Sequence, residues 1–558
     1  MKNPAAPKLY ALAFGLFLGL CIWKFGNPVI LDHKIAAPAT PSEFFGEAWP
    51  PHWANWILLP LVMVGAGLCS GALRAPANKN SQNIRRSQTA ATTKWLWLLP
   101  LIWLGWQFVS ATQTVDADLT RATLWQFSGC VACYFFGALV FARDHLWRWL
   151  LPGLLAAFAF CLVRGIDQHV FEFPQNCQML AEGERAGWTN FPPEAVAQMK
   201  SDNIIILTNG AEMANPAMLD KFKKGRVAGT LVYPNALAGI ILLLWPLSLA
   251  LAFGETKNLK PPIRLAAIGL TIFLGGAALF WSGSKLGWLI GIAIAGFFLL
   301  RLDWPRKLKL AMVAFVLVAG LGVFAIRFHN YFSAGATSVG ARFDYWRAAA
   351  QTTAAKPVFG SGPGTFQRPY AQIKSPEAEM ARLAHNDYLE QFSDSGLVGG
   401  LAYGAWIFLA LAAAGKKIWR GGDAITIAIL AGLLGWFAQG FGEFGLFIPA
   451  LAWTAFVLLG CLVGLAEKDG NGRAVSPLTA AACQRTCSGS PTPARTEWRA
   501  LRRAASSGLP DEIRDQPQAG IPPAALLRGL PPMGRLGPVA HGIAFELRAG
   551  GAVQIGTP

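Results

Sequence analysis

The sequence predicts an all-α integral membrane protein with about twelve transmembrane helices, two long loops on the non-cytoplasmic side and a disordered cytoplasmic C-terminal tail. Three observations lead there. Of the 558 residues, 53% are hydrophobic and only 14% charged, a balance that belongs to the membrane class. Apolar runs long enough to cross a bilayer, about 20 residues each, recur along most of the chain. The net charge of +17 would point to nucleic acid if it clustered on a soluble domain. Here the Lys and Arg fall mostly in short gaps between apolar runs, as cytoplasmic loops require, and no nucleic-acid partner is expected.

The runs lie at about 9–31, 54–73, 95–112, 122–142, 146–164, 232–253, 265–282, 285–300, 310–326, 396–414, 424–443 and 446–466. The first follows Lys2 and Lys8 and has the outline of a signal peptide, but no small-residue cleavage site closes it, so it reads as a retained helix. With the N-terminus in the cytoplasm, strict alternation puts the basic gaps inside: Arg74, Lys79, Arg85, Arg86 and Lys94, then Arg143, then Lys257, Lys260 and Arg264. The gaps carrying Arg301, Arg306, Lys307 and Lys309, and Lys416, Lys417 and Arg420, also fall inside. The gap 113–121, where Asp116 and Asp118 outweigh Arg121, falls outside.

Two outer segments, about 165–231 and 327–395, are too long for simple connectors, and long loops are commonly functional or disordered. The first holds a helix start at Asn215-Pro216 and ends in Lys221, Lys223, Lys224, Gly225 and Arg226. That basic cluster is either a solvated helix end facing its own dipole or an anion site at the outer surface. Nine cysteines are scattered. Cys130 and Cys133 form a C-x-x-C inside a span without further ligands, and no metal is assigned. From about Lys468 the chain carries eleven of its 36 prolines and no apolar periodicity, the signature of disorder. The resulting organisation is 1–225 (five helices and the first long loop), 226–466 (a membrane region with the loop 327–395) and a tail, 467–558.

Apart from Lys24, charged residues avoid the middles of the spans; Arg164, Lys285 and Glu443 lie at outer ends. Transporters and pumps usually place ionisable groups near the midplane. The pattern favours a site at the outer interface over a transport path for anions or lipid-linked sugars. Nucleoside triphosphates and sugar nucleotides do not reach that face, so an enzyme there needs a lipid-borne, already activated donor, such as a polyprenyl diphosphate glycan.

Four segments carry a resemblance. They are Arg226-Val-Ala-Gly-Thr-Leu-Val-Tyr-Pro234-Asn235-Ala-Leu-Ala238; Ser282-Gly283-Ser284-Lys285; Arg342-Phe-Asp-Tyr-Trp346 followed by Pro357-Val-Phe-Gly360-Ser-Gly362-Pro-Gly364-Thr-Phe366; and His385-Asn386-Asp-Tyr-Leu389-Glu390 followed by Gly396-Leu-Val-Gly399. In this order, over about 226–400, they resemble the O-antigen ligase and polymerase superfamily of bacterial envelope enzymes. Lys285 stands where the family typically has Arg, keeping the charge and losing the bidentate fork; Asp394 stands where Glu is common. The segment before Arg226 is longer than usual.

The resemblance implies glycan transfer from an undecaprenyl-diphosphate-linked donor to a hydroxyl of a glycolipid or glycan acceptor, on the periplasmic side of the inner membrane, without cofactor or metal. Arg226 and Arg342 suit a diphosphate leaving group through charge-assisted contacts, and His385 suits the base that takes the acceptor proton, imidazole being the side chain that titrates near neutrality. Lys285, Asn235, Asn386 and Lys224 complete the expected substrate-binding set. Competing structural readings are that His385 is a backbone-satisfied residue at a helix mouth, that Arg342 anchors an interfacial helix beside Trp346, and that Asn235 shapes its helix mouth. Gly360, Gly362 and Gly364 make either a phosphate nest or, the reading favoured, a turn. His329 is a rival base outside the motifs. A polymerase or a protein-modifying oligosaccharide transferase of the same superfamily shares every motif.

Overall fold

A helix that is apolar on every side has no stable place in water, and the apolar runs of this chain all fold as helices. The computed structural model describes residues 5–73, 89–208, 210–301, 304–333 and 337–471. The basic gap with Arg74, Lys79, Arg85 and Arg86 and nearly all of the expected disordered tail lie outside the described residues. The first half contains α1 (Ala5–Lys24), α2 (Pro41–Gly46), α3 (Pro51–Leu73), α4 (Thr89–Ala111), α5 (Ala117–Phe136) and α6 (Leu151–Asp167). Then come α7 (Phe173–Arg185), α8 (Pro193–Ser201), an antiparallel hairpin of β1 (Ile205–Thr208) and β2 (Ala211–Ala214), and α9 (Pro216–Lys224). The second half contains α10 (Pro234–Glu255), α11 (Pro261–Ser282), α12 (Lys285–Arg301), α13 (Arg306–Ser333) and α14 (Thr337–Ala355). It ends with α15 (Gln367–Ile373), α16 (Asp387–Gly421), α17 (Ala424–Gln439) and α18 (Pro449–Asn471).

Among the described residues, eight helical stretches are long and apolar enough to cross a membrane, and Trp95–Ala111 and Ala424–Gln439 are shorter apolar helices. The chain is an all-α membrane protein. The outer surface of α13 carries the argument: Phe315, Val318 and Ile326 are 64%, 74% and 81% exposed, an apolar face that only lipid covers at low cost. Helices pack as α10 on α17 and α11, α1 on α6, and α4 on α16. Small residues allow the closest of these approaches. A Cβ at Gly15 would stand 2.3 Å from the Leu150 carbonyl oxygen, and one at Gly19 would stand 2.6 Å from that of Gly153.

Two expectations change. The first run, expected to be helical over 9–31, stops at Lys24, because Pro28 lacks an amide donor and disfavours helix in the residue before it. Lys24 is therefore the last residue of its span and not near its middle: its buried ammonium donates to the carbonyls of Phe45 (2.6 Å) and Glu47 (2.9 Å), beyond the helix end. The two long outer segments are also not open loops. The first folds into α7, α8, the hairpin and α9, where Asn215 caps α9 by accepting from the Ala217 amide at 3.0 Å. The second is filled by the end of α13, by α14 and α15, and by the first turns of α16, held by a small core that includes Tyr345, Phe366, Tyr370 and Ala384.

Candidate active site

Four helix junctions and the first turns of α14 deliver one ionisable side chain each to the same place. Arg226 follows Gly225, which closes α9 in the left-handed conformation at φ 58°. Gly283, at φ 60°, closes α11 the same way and turns the chain so that Lys285 opens α12. Arg342 projects from α14, His385 precedes the first residue of α16, and Glu443 lies between α17 and α18. With Asn235, Tyr345, Glu379 and neighbouring residues they line one cavity of about 250 Å³.

Glu443 is the centre of its hydrogen bonding. Its Oε1 accepts from Arg342 Nη2 at 2.5 Å and from Asn235 Nδ2 at 2.8 Å; its Oε2 accepts from the Tyr233 hydroxyl at 3.0 Å and faces His385 Nδ1 at 3.4 Å. The side chain is only 5% exposed. Burial opposes ionisation of this carboxyl, but the His385 hydrogen bond and charge, the Arg342 charge and the Tyr233 hydrogen bond outweigh it and hold the pKa below the ordinary value. Glu443 is thus a carboxylate at neutral pH. In a neutral imidazole, a proton on Nδ1 would face this carboxylate and leave Nε2 as an acceptor.

His385 is held firmly for a loop residue. Its φ of 50° is left-handed, a conformation that costs a residue with a Cβ about 1–3 kcal/mol and persists only where the surroundings impose it. Here Trp346 Nε1 donates to its carbonyl at 3.4 Å, its ring meets Phe444 edge-on at 4.7 Å, and Tyr345 lies alongside at 5.8 Å. The next residue, Asn386, caps α16 by accepting from the amides of Tyr388 (3.1 Å) and Leu389 (3.0 Å). The Asp387 amide then donates to the carbonyls of Gly440 (2.8 Å) and Glu443 (3.2 Å), so the imidazole and its carboxylate neighbour are tied through backbone as well.

Two of the three cations are held without a carboxylate. Arg226 donates from Nε to the Ser282 carbonyl at 2.8 Å and from Nη2 to Asn235 Oδ1 at 3.0 Å. Asn235, whose own carbonyl accepts from Gln439 Nε2 at 2.9 Å, therefore links Arg226 to Glu443. Lys285 rests its ammonium 3.6 Å from the centre of the Tyr331 ring, a cation–π contact. Against three cations the cavity lining has the carboxylates Glu379 and Glu443, and Glu443 is already engaged by Arg342. The arrangement can hold an anion and accept a proton beside it.

The residues expected from sequence do not all meet there. Arg226, Asn235, Lys285, Arg342 and His385 line the cavity. Asn386 is a buried helix cap that stands behind His385 and does not line the cavity. Lys224 is outside it: one turn from Asp220 on an exposed helix face, it pairs with that carboxylate at 2.5 Å. His329 is exposed on α13 and turns Nδ1 to its neighbour Asn330. The glycine series is a turn. The amides of Ser361, Gly362 and Gly364 donate to the Ser393 carbonyl, the Asp394 carbonyl and the Asp394 carboxylate at 3.0, 2.8 and 2.7 Å, so none of these three is left for a phosphate. Glu443 and Tyr233 went unassigned in the sequence. The only signal for Glu443 was a lone carboxylate at the outer end of a span.

Residues 270–404 match the family model Wzy_C, described as O-antigen ligase. That segment belongs to the O-antigen ligase superfamily. It contains Lys285, Arg342 and His385 and stops short of Glu443, while Arg226 and Asn235 precede it. A comparison with curated proteins found no match. The superfamily relation implies glycosyl transfer of the O-antigen ligase or polymerase type. Among the described residues no three His, Cys, Asp or Glu gather at metal-binding distance.

The Glu443 network predicts an acid-sensitive fold. A carboxyl whose pKa is depressed on folding contributes stability that is fully present above its unfolded value, about 4.3, and is lost as pH falls through the lower folded value. Glu443→Gln removes the charge and leaves Arg342 half-paired. The loss should be near the lower end of the roughly 3–5 kcal/mol typical of breaking a buried pair, because Arg342 is 23% exposed. Thermal unfolding in detergent should show the variant well below wild type at pH 7 and the gap narrowing toward pH 3. A gap that is constant with pH would refute the ionised network.

Proposed function

We propose that the cavity transfers a glycan from undecaprenyl diphosphate to a hydroxyl of a lipid A core or another envelope glycan, on the periplasmic face of the bacterial inner membrane and without a metal ion. The observation that carries this is the His385–Glu443 pair opening into a cavity lined by Arg226, Lys285 and Arg342. His385 Nε2 takes the acceptor proton as its oxygen bonds to the anomeric carbon. The bond from that carbon to the diphosphate breaks, its electron pair goes to the phosphate oxygen, and the cations meet the charge that develops there. Glu443 stabilises the imidazolium, as the buried carboxylate does in other imidazole-based sites. Holding both substrates at one membrane surface supplies the entropic part of the acceleration. The site residues occupy helix ends and connections, which favours interfacial chemistry over a transport path through the midplane.

In a cell-free transfer assay, His385→Ala should keep donor binding and lose about a hundredfold to ten-thousandfold in rate, with His329→Ala near wild type. Arg342→Lys should lose most activity because an ammonium cannot reproduce the paired contacts, and EDTA should leave the wild-type rate unchanged. Near-normal transfer by His385→Ala would remove the base, and activity lost to EDTA and restored by magnesium would bring a metal back.

Topology is tested separately, by reporter fusions after Lys309 and within 370–380. They should report opposite sides of the membrane, the second outside; the same side for both would sink the periplasmic assignment.

Ligase and polymerase differ in acceptor. After deletion of the gene, unattached glycan of normal length supports the ligase, while single-repeat products would identify a polymerase.

A further inference from the structure

The segment 379–385 serves two cavities. Glu379 and His385 line the one described above; Arg382 lines another of about 930 Å³, against about 250 Å³ for the first. Its walls are the turn Val29–Lys34 after α1, the first turns of α3 and α5, and the start of α15. On the expected topology every one of these is on the non-cytoplasmic face.

The polar groups in this cavity divide into engaged and unengaged. Asp32 accepts from both the amide and Nδ1 of His52 at 2.9 Å. Asp116 pairs with Arg368 at 2.6 Å, and Asp118 with Arg121 at 3.0 Å. Lys34 and Arg382 make no ion pair among the described residues and face each other's charge; desolvation first, then Arg382, lowers the pKa of Lys34. Lys34 and Arg382 thus carry charges without an ion-pair partner, while the three carboxylates of the wall, Asp32, Asp116 and Asp118, are each engaged by another side chain, an arrangement that can take an anion at the two cations. Beside them the indoles of Trp56 and Trp125 are 67% and 54% exposed, flat apolar faces of the kind that orient a ligand in an otherwise polar pocket. Engaged carboxylate–Arg and carboxylate–His pairs around the wall offer alternating acceptors and donors, which suit hydroxyl groups more than they suit a lipid chain.

We infer that this larger cavity binds the acceptor as an acidic oligosaccharide, with its carboxylate or phosphate groups between Lys34 and Arg382 and its sugar rings against Trp56 and Trp125. The inference rests on the transfer reading for its role, because the donor diphosphate takes the cations of the smaller cavity. Reach supports it. Three residues of extended chain span at most about 10–11 Å, so the Arg382 and His385 backbones are no further apart than a short oligosaccharide extends, and a glycan anchored at one can present a hydroxyl to the other.

The test uses the full-length protein in nanodiscs of zwitterionic lipid, followed by tryptophan fluorescence. Tetragalacturonate is the probe, and maltotetraose, inorganic phosphate and phosphatidylglycerol are the comparisons. Tetragalacturonate should bind saturably, and Lys34→Gln or Arg382→Gln should each weaken it about tenfold, with thermal unfolding confirming that each variant is folded. In the transfer assay the same variants should raise the acceptor KM and leave kcat and donor binding as in wild type. Equal binding of maltotetraose, full competition by inorganic phosphate alone, or displacement by phosphatidylglycerol would each overturn the proposal, the last by assigning the cavity to a lipid headgroup. Probe binding without any transfer would defeat the reading of the smaller cavity and leave this one standing. Transfer with an unchanged acceptor KM in both variants would do the reverse.

Discussion

A carboxylate removed from water must find donors or give up its charge, and Glu443 finds four. They come from the mouth of α10 (Tyr233 and Asn235), from α14 (Arg342) and from the residue before α16 (His385). These are stretches of chain that share no local reason to meet. One buried carboxylate therefore determines where three helix ends converge, which nitrogen of the imidazole faces it and which way the guanidinium of Arg342 points. The cost of an unpaired charge at this depth makes the cluster cooperative. Arg342, His385 and Tyr233 together offset the burial of the carboxylate, and the carboxylate in turn gives each of them a partner.

The wall of the site depends on a second device, a break inside α16. Ser395 and Gly396 leave helical geometry, Gly396 at φ 68° and ψ −171°, where a Cβ would stand 2.2 Å from the Val358 carbonyl oxygen. The carbonyls freed by the break accept the amides of Ser361 and Gly362, and the Leu397 amide donates to the Pro357 carbonyl at 2.8 Å. Asp394 meets the Gly364 amide at 2.7 Å, so the shorter acid reaches what it needs to hold. The turn 357–366 is pinned to the middle of α16, and from it run α15 and the segment that ends in His385. The glycines far from the cavity thus fix the residue inside it.

Hydropathy located the helices because their length follows from the thickness of the bilayer, while the charge alternation bears on sidedness alone. Arg226, Lys285, Arg342 and His385 were picked out by the short motifs that carry the family resemblance, and the structure brings these four to one cavity. Glu443 escaped because its partners are long-range, up to 210 residues away in the case of Tyr233, and nothing in Phe-Gly-Glu-Phe-Gly records them. Lys224 was placed in the set by its nearness to Arg226 in sequence, but the left-handed Gly225 redirects the chain between them, and Lys224 keeps to the exposed face of α9 with Asp220. Lys24 was read as a charge near the middle of a span because hydropathy continues past Gly26 and Pro28, where the helix does not; it is the last residue of α1. The two long segments read as loops because their helices, from 7 to 19 residues long, are mostly polar and carry no periodic apolar signal.

What the cavity does with charge follows from how its cations are held. Arg226 is positioned by a backbone carbonyl and an amide oxygen, and Lys285 by an aromatic face. Dipoles and quadrupoles orient a cation without cancelling it, whereas a carboxylate would both orient and neutralise. Of the three, only Arg342 is matched by a carboxylate, and that same carboxylate is shared with the imidazole. The positive potential left over is fixed in place before any substrate arrives, in a partly enclosed site where it acts more strongly than in water. Lys285 in place of the family's Arg fits this scheme. An ammonium is a compact charge that seats on the Tyr331 ring; it gives up the planar fork, and so contributes field more than geometry. On the proposed transfer, the directional contacts to a departing diphosphate would rest on Arg226 and Arg342, the two side chains whose guanidinium groups are already held by Asn235 and Glu443.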